Sequence, residues 1–112
     1  MKDVLEKKYY KISEVADMLN IPASTLRFWE NKFTVITPRR NDKGSRFYTP
    51  ADVEKIRMVW YLVKEKGMKL QAAQAELKRN PTGISQRVEA LETLRDIRNR
   101  LSDMIALLEG KG

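Results

Sequence analysis

Apolar positions recur along this chain at helical spacing, then at extended spacing, then at helical spacing again. Ile12, Val15, Ala16 and Leu19 fall on one helical face, and the spacing predicts a helix starting at Ser13, whose hydroxyl can accept a hydrogen bond from a first-turn amide. Asn20 stands where a residue of positive φ ends a helix. Pro22 opens a second helix, in which Leu26, Trp29 and Phe33 form the inward stripe. Ser24, Thr25, Arg27, Phe28, Asn31 and Lys32 take the remaining surface. Short hydroxyls, an arginine and an amide are groups that reach base edges and phosphates, which suits a recognition helix.

After Phe33 the spacing becomes extended, with Val35-Ile36-Thr37 on one side and Arg46-Phe47-Tyr48 on the other, joined through Asn41-Asp42-Lys43-Gly44. Gly44 is free to take the positive φ that such a turn requires. A lone hairpin is only marginally stable in water, so this one is expected to lean on the helices beside it. Arg39, Arg40, Lys43 and Arg46 give it the cation density of a wing lying along phosphates.

Thr49-Pro50-Ala51-Asp52 reads as the start of a third helix, with Thr49 as N-cap, and Val53, Ile56, Trp60 and Val63 continue it until Gly67. A fourth runs from Leu70 to about Lys78, with Leu70, Ala73 and Leu77 on one face, before Asn80-Pro81-Thr82-Gly83 breaks the pattern. The last segment, Ile84 to about Glu109, would extend about 39 Å as a helix. Its apolar residues are Ile84, Val88, Leu91, Leu94, Ile97, Leu101, Met104, Ile105, Leu107 and Leu108. Nothing else in the chain is left to cover that stripe, so a helix-helix interface between subunits is expected, through Ile84, Val88, Leu91, Leu94, Ile97, Leu101, Met104 and Leu108. Two successive steps of three, Leu91 to Leu94 to Ile97, shift the seam from a strict heptad, and spacing alone leaves parallel, antiparallel and higher-order coils open.

The net charge of +7 is unevenly distributed. Residues 1–80 hold 17 lysines and arginines against 10 acids, whereas residues 81–112 hold five of each. Basic charge also serves solubility, so it is its placement on a wing and a recognition helix that points to nucleic acid. The chain has neither cysteine nor histidine, which removes thiol redox chemistry and thiolate or imidazole metal sites. No metal or other cofactor is expected. No apolar run of about 18 residues and no leader pattern appear, so a soluble cytoplasmic protein without a membrane partner is the expectation. A histidine base, a nucleophile elbow and a glycine-rich phosphate loop are all missing, which argues against an enzyme. Trp29, Trp60 and Tyr61 read as packing aromatics rather than a ligand pocket, Met18, Met58, Met68 and Met104 as gap-fillers, and Tyr9-Tyr10 as packing at the domain's start.

Tyr10-Lys11-Ile12-Ser13-Glu14-Val15-Ala16, then Ser24-Thr25-Leu26-Arg27-Phe28-Trp29-Glu30, then Arg46-Phe47-Tyr48-Thr49 with Asp52-Val53 resembles the amino-terminal DNA-binding domain of the MerR family of bacterial transcription regulators over roughly residues 10 to 80. The family's usual tyrosine pair after Leu-Arg is Phe28-Trp29 here, and its Gly-Leu after the recognition helix is Lys32-Phe33. The resemblance implies major-groove and backbone contacts at Thr25, Arg27 and Phe28, flanking phosphate contacts at Arg39, Arg46 and Tyr48, and a second, smaller wing presenting Lys66 and Lys69. It also implies an antiparallel two-helix coil joining a homodimer that reads two half-sites. The expected fold is mainly α: a winged helix-turn-helix with a small β-hairpin wing over residues 1–80, followed by a long carboxy-terminal coiled-coil helix over 81–112. The expected partners are double-stranded DNA, a second copy of the chain and, at a promoter, RNA polymerase, all in the bacterial cytoplasm on the nucleoid. The resemblance further implies binding to a promoter pseudo-palindrome with bending or untwisting of the duplex. Family members carry a sensing domain after the coil, whereas this sequence stops at Gly112, so it is expected either to lack a small-molecule effector or to be a piece of a longer protein. Two rivals stay open at this point: an excisionase-like architectural DNA-bending protein, and a coiled-coil interaction module that binds DNA weakly.

Overall fold

Local hydrogen bonding decides where each helix of this chain begins and ends. In a computed structural model, which describes residues 8–110, the order of elements is β1 (Tyr10–Lys11), α1 (Ile12–Leu19), α2 (Ala23–Lys32), β2 (Arg39–Arg40), β3 (Arg46–Tyr48), α3 (Pro50–Trp60), α4 (Leu70–Arg79) and α5 (Pro81–Leu108). Residues 1–7 and 111–112, which the expected domain ranges took in, lie outside the described residues. α1 begins one residue before Ser13, with the Lys11 N–H donating to Glu14 Oε1 at 3.0 Å, so Ser13 is not its cap. It ends at Asn20, whose φ of 53° lies in the left-handed region, and the next amide, of Ile21, returns to the Ala16 carbonyl at 3.0 Å.

The sheet differs from the expected hairpin in two ways. Val35-Ile36-Thr37 is not its first strand, because Ile36 turns back, its amide bonding the Phe33 carbonyl, and plugs the core instead. Arg39–Arg40 pairs with β3 in its place, and β1 adds on the other side, giving an antiparallel sheet of order β1-β3-β2 with Tyr10 opposite Tyr48 and Arg40 opposite Arg46.

Thr49 caps α3 as its sequence requires: the Asp52 N–H donates to Thr49 Oγ1 at 3.2 Å, and the Thr49 N–H donates to Asp52 Oδ2 at 3.0 Å. The helix widens over Tyr61–Glu65 into a π-turn, where the Lys66 amide reaches the Tyr61 carbonyl at 2.9 Å. Asn80 caps α5 through the Gly83 amide, and Pro81 takes the first helical position, so the helix starts three residues before Ile84.

The core gathers Val15, Leu26, Trp29, Phe33, Ile36, Tyr48, Val53, Ile56, Val59, Leu62, Ala73 and Leu77. It also contains Ile84 and Val88, which corrects their place in the expected subunit interface: the base of α5 is fully occupied packing on its own domain. Arg57 reinforces that packing from α3, its Nη1 lying 3.3 Å from Glu92 Oε1. Arg95 pairs with Glu65 and stacks over Trp60, 5.1 Å from the ring centroid. Packing that holds the domain together therefore continues past residue 80 as far as Arg95.

On another face α5 carries a second stripe. Leu94, Ile97, Leu101, Met104 and Leu108 are exposed, and with Ala90 they step by four and three in turn. The apparent slip at Leu91-Leu94-Ile97 is a change of face: half-buried Leu91 belongs with Ile84 and Val88, and Leu94 opens a regular heptad.

Candidate nucleic-acid interface

α1 and α2 form the helix-turn-helix, with Asn20-Ile21-Pro22 as the turn. Leu26, Trp29 and Phe33 anchor α2 from below, all of them fully buried. This orientation leaves Ser24, Arg27, Phe28, Asn31 and Lys32 exposed and Thr25 half-buried. Phe28 keeps 47% of its surface in solvent, and Lys32 Nζ lies 5.6 Å from its ring centroid. Trp29, the other half of the aromatic pair, is core, so only Phe28 is placed to meet a ligand.

The wing turn is built by Asn41. Its Oδ1 accepts from the amides of Lys43 and Ser45, both at 3.0 Å, and its carbonyl accepts from the Gly44 amide at 2.9 Å. Gly44 takes a φ of +78°, where a side chain would be strained. Lys43 and Arg40 are exposed, with Arg40 Nη1 donating to the Gly44 carbonyl at 3.3 Å. Arg39 is 58% exposed with Nε 3.7 Å from Asp52 Oδ2, a separation at which Asp52 orients the guanidinium without covering it.

Arg46 and Tyr48 are placed differently from the other wing residues. Arg46 is half-buried, its Nε donating to Glu30 Oε2 at 2.9 Å, and the Tyr48 hydroxyl donates to Glu30 Oε1. Tyr48 has no exposed surface, so it cannot take the phosphate contact expected of it without leaving the core. Glu30 was not among the residues singled out by sequence. The available signal was a carboxylate four residues after Leu26, on the apolar side of the helix, where an ionised group needs a partner.

Arg27 and the wing meet across an open cleft of about 980 Å³, lined also by Lys11, Ser13, Asn41, Gly44, Ser45 and Arg46. Tyr9 stands at this cleft, edge-on to Phe47 with the ring centroids 5.0 Å apart. Lys66 and Lys69 are exposed between the π-turn and α4. Among the described residues, no cluster of three histidines, cysteines or acids is placed to hold a metal, and no helix is long and apolar enough to cross a membrane.

The pattern of the MerR HTH family of regulatory proteins matches residues 10–80. The HTH-type transcriptional repressor CarA of Myxococcus xanthus is 31% identical over 101 residues, which are 89% of this chain and 33% of that protein. The HTH-type transcriptional regulator YfmP of Bacillus subtilis (strain 168) is 28% identical over 110 residues, 88% of this chain and 79% of that protein. The chain spans between 21% and 33% of the length of the first curated relatives it matches. Among solved structures, HiNmlR, a MerR family regulator lacking the sensor domain and bound to promoter DNA, superposes with a TM-score of 0.56 at 22% identity, covering 90% of this chain and 79% of that one. At that identity the likeness concerns the fold.

Proposed function

The chain belongs to the MerR family of helix-turn-helix regulatory proteins, and on that footing we propose that it is a sequence-specific DNA-binding transcriptional regulator acting as a homodimer on a promoter. The observation that carries this reading is the shared cleft between Arg27 of α2 and the wing. In the proposed complex α2 enters the major groove, where Arg27 and Asn31 meet base edges and Phe28 offers an apolar surface to a thymine methyl. Ser24, Thr25 and Lys32 meet the flanking backbone, while Arg39, Arg40 and Lys43 lie along phosphates one side away. Such contacts supply affinity that falls steeply with salt.

The second subunit joins along Leu94, Ile97, Leu101, Met104 and Leu108, whose exposure and heptad spacing support an interhelical seam. In an antiparallel pair centred between Ile97 and Leu101, small Ala90 faces Leu108, and the two recognition helices are held at opposite ends for two half-sites of a pseudo-palindrome. Reading both from one face bends or untwists the duplex, at a cost of about 1 to 6 kcal/mol that the wing contacts offset. RNA polymerase is then the further partner, and the bacterial nucleoid the setting. The relatives are regulators, a non-enzymatic role.

Sedimentation velocity of the chain with a labelled duplex tests the assembly. Two chains per duplex are expected. A single chain per duplex contradicts the dimer, and no complex at low salt contradicts the DNA-binding reading.

A further inference from the structure

Glu30 sits in the last turn of the recognition helix yet faces away from the surface that helix presents. It follows Leu26 by four residues and Trp29 by one, and its side chain retains 6% of its exposure. A carboxylate in such a place is costly unless charge-assisted donors meet it. Both of its oxygens are met from β3: Oε2 by Arg46 Nε at 2.9 Å, and Oε1 by the Tyr48 hydroxyl. Arg46 and Tyr48 are two residues apart and so leave the strand on one face. β3 is the middle strand of the sheet, with β1 on one side and the wing's β2 on the other, so a fixed β3 fixes the wing.

We propose that Glu30 is a positioning residue that sets the wing against the recognition helix and holds Arg46 as an internal brace, withheld from the phosphates. This rests on the DNA-binding reading above. The charge of Arg46 is already compensated within the protein, and swinging it to a phosphate would strand a nearly buried carboxylate. The wing's phosphate-binding charge is therefore that of Arg39, Arg40 and Lys43, and the resemblance-based role of Arg46 is reassigned.

The salt dependence of binding separates a brace from a phosphate contact, because each neutralised phosphate contributes about 0.9 to the slope of log affinity against log salt. The probe is a fluorescein-labelled random-sequence duplex, titrated with the full chain. Lys43→Met flattens the slope by about 0.9, whereas Arg46→Met leaves it unchanged. Glu30→Gln keeps an acceptor for Tyr48 but gives up the charge that holds Arg46; the slope steepens by up to about 0.9, and the gain disappears in Glu30→Gln/Arg46→Met. Loss of folding alone would lower the active fraction without this pattern of slopes, and the folded fraction is read from circular dichroism. If Glu30→Gln does not fold, the comparison of Arg46→Met with Lys43→Met still decides. Flattening by about 0.9 in Arg46→Met, or a Glu30→Gln slope equal to that of the unsubstituted chain, overturns the assignment. An unsubstituted chain that does not bind the duplex overturns the DNA-binding reading itself, and the assignment with it.

Discussion

Arg57 of α3 and Glu92 of α5 are joined 35 residues apart in sequence, with the arginine Nη1 3.3 Å from the glutamate Oε1 and the guanidinium almost fully buried. The pair fastens the base of α5 to the domain next to Val88, and Glu54 Oε1 lies 3.4 Å from the same arginine nitrogen. Removing one partner of a buried pair leaves the other charge desolvated. Glu92→Ala is expected to cost about 3 kcal/mol, at the low end of the range for such losses because Glu54 remains. Urea denaturation measures it, and a loss below about 0.5 kcal/mol would place the pair among exposed ones of little consequence.

Arg27 is exposed on α2 and borders the cleft that the wing closes on its other side. Its replacement by alanine is expected to cost about 1 to 3 kcal/mol of binding to a selected site and to relax preference at one base pair of each half-site. Competition between the selected site and point-substituted duplexes reads both effects. Unchanged preference would remove Arg27 from the residues that read bases.

Arg39 has a different expected signature. Arg39→Ala weakens binding to all sequences alike and flattens the salt slope by about 0.9, as loss of one phosphate contact requires. A loss confined to one sequence would contradict a backbone role for this arginine.

The two stripes of α5 separate folding from association. Ile84 is fully buried in the domain core, and Ile84→Ala is expected to cost about 2 to 5 kcal/mol of folding free energy. Leu101 is 54% exposed, and Leu101→Asp is expected to leave the domain folded while producing monomers in sedimentation. A persistent dimer in Leu101→Asp would move the subunit interface elsewhere.

Much of this arrangement is legible in the sequence where the signal is local. Leu26, Trp29 and Phe33 mark the inward face of α2 because helical spacing leaves no other face apolar, and Thr49 with Asp52 marks the start of α3 through its reciprocal caps. Gly44 and Asn20 stand out because few other residues take positive φ. The remainder depends on pairings between distant segments. β1 is two residues long, too short to show a period, and exists because Tyr10 and Lys11 find Tyr48 and Phe47 across the chain. Tyr48 looks like a wing residue from its neighbours, yet Glu30, 18 positions earlier, draws it inside. The mixed spacing of α5 was visible, but only the packing of Ile84, Val88 and Leu91 on the domain divides it into a core face and an exposed heptad. The residues proposed to contact DNA are the most legible part of the candidate site because they are what remains when the core stripe is removed; Glu30 is hidden because its partners are reached only through the folded sheet.

Selection of binding sites from a random duplex pool, followed by sequencing of what the purified chain retains, tests sequence-specific dimeric recognition most directly. An inverted repeat with two equivalent half-sites is the expected result, since two recognition helices joined through a two-fold coil read the same bases twice. A retained pool with no enriched sequence, or enrichment of a single unrepeated half-site, would contradict it.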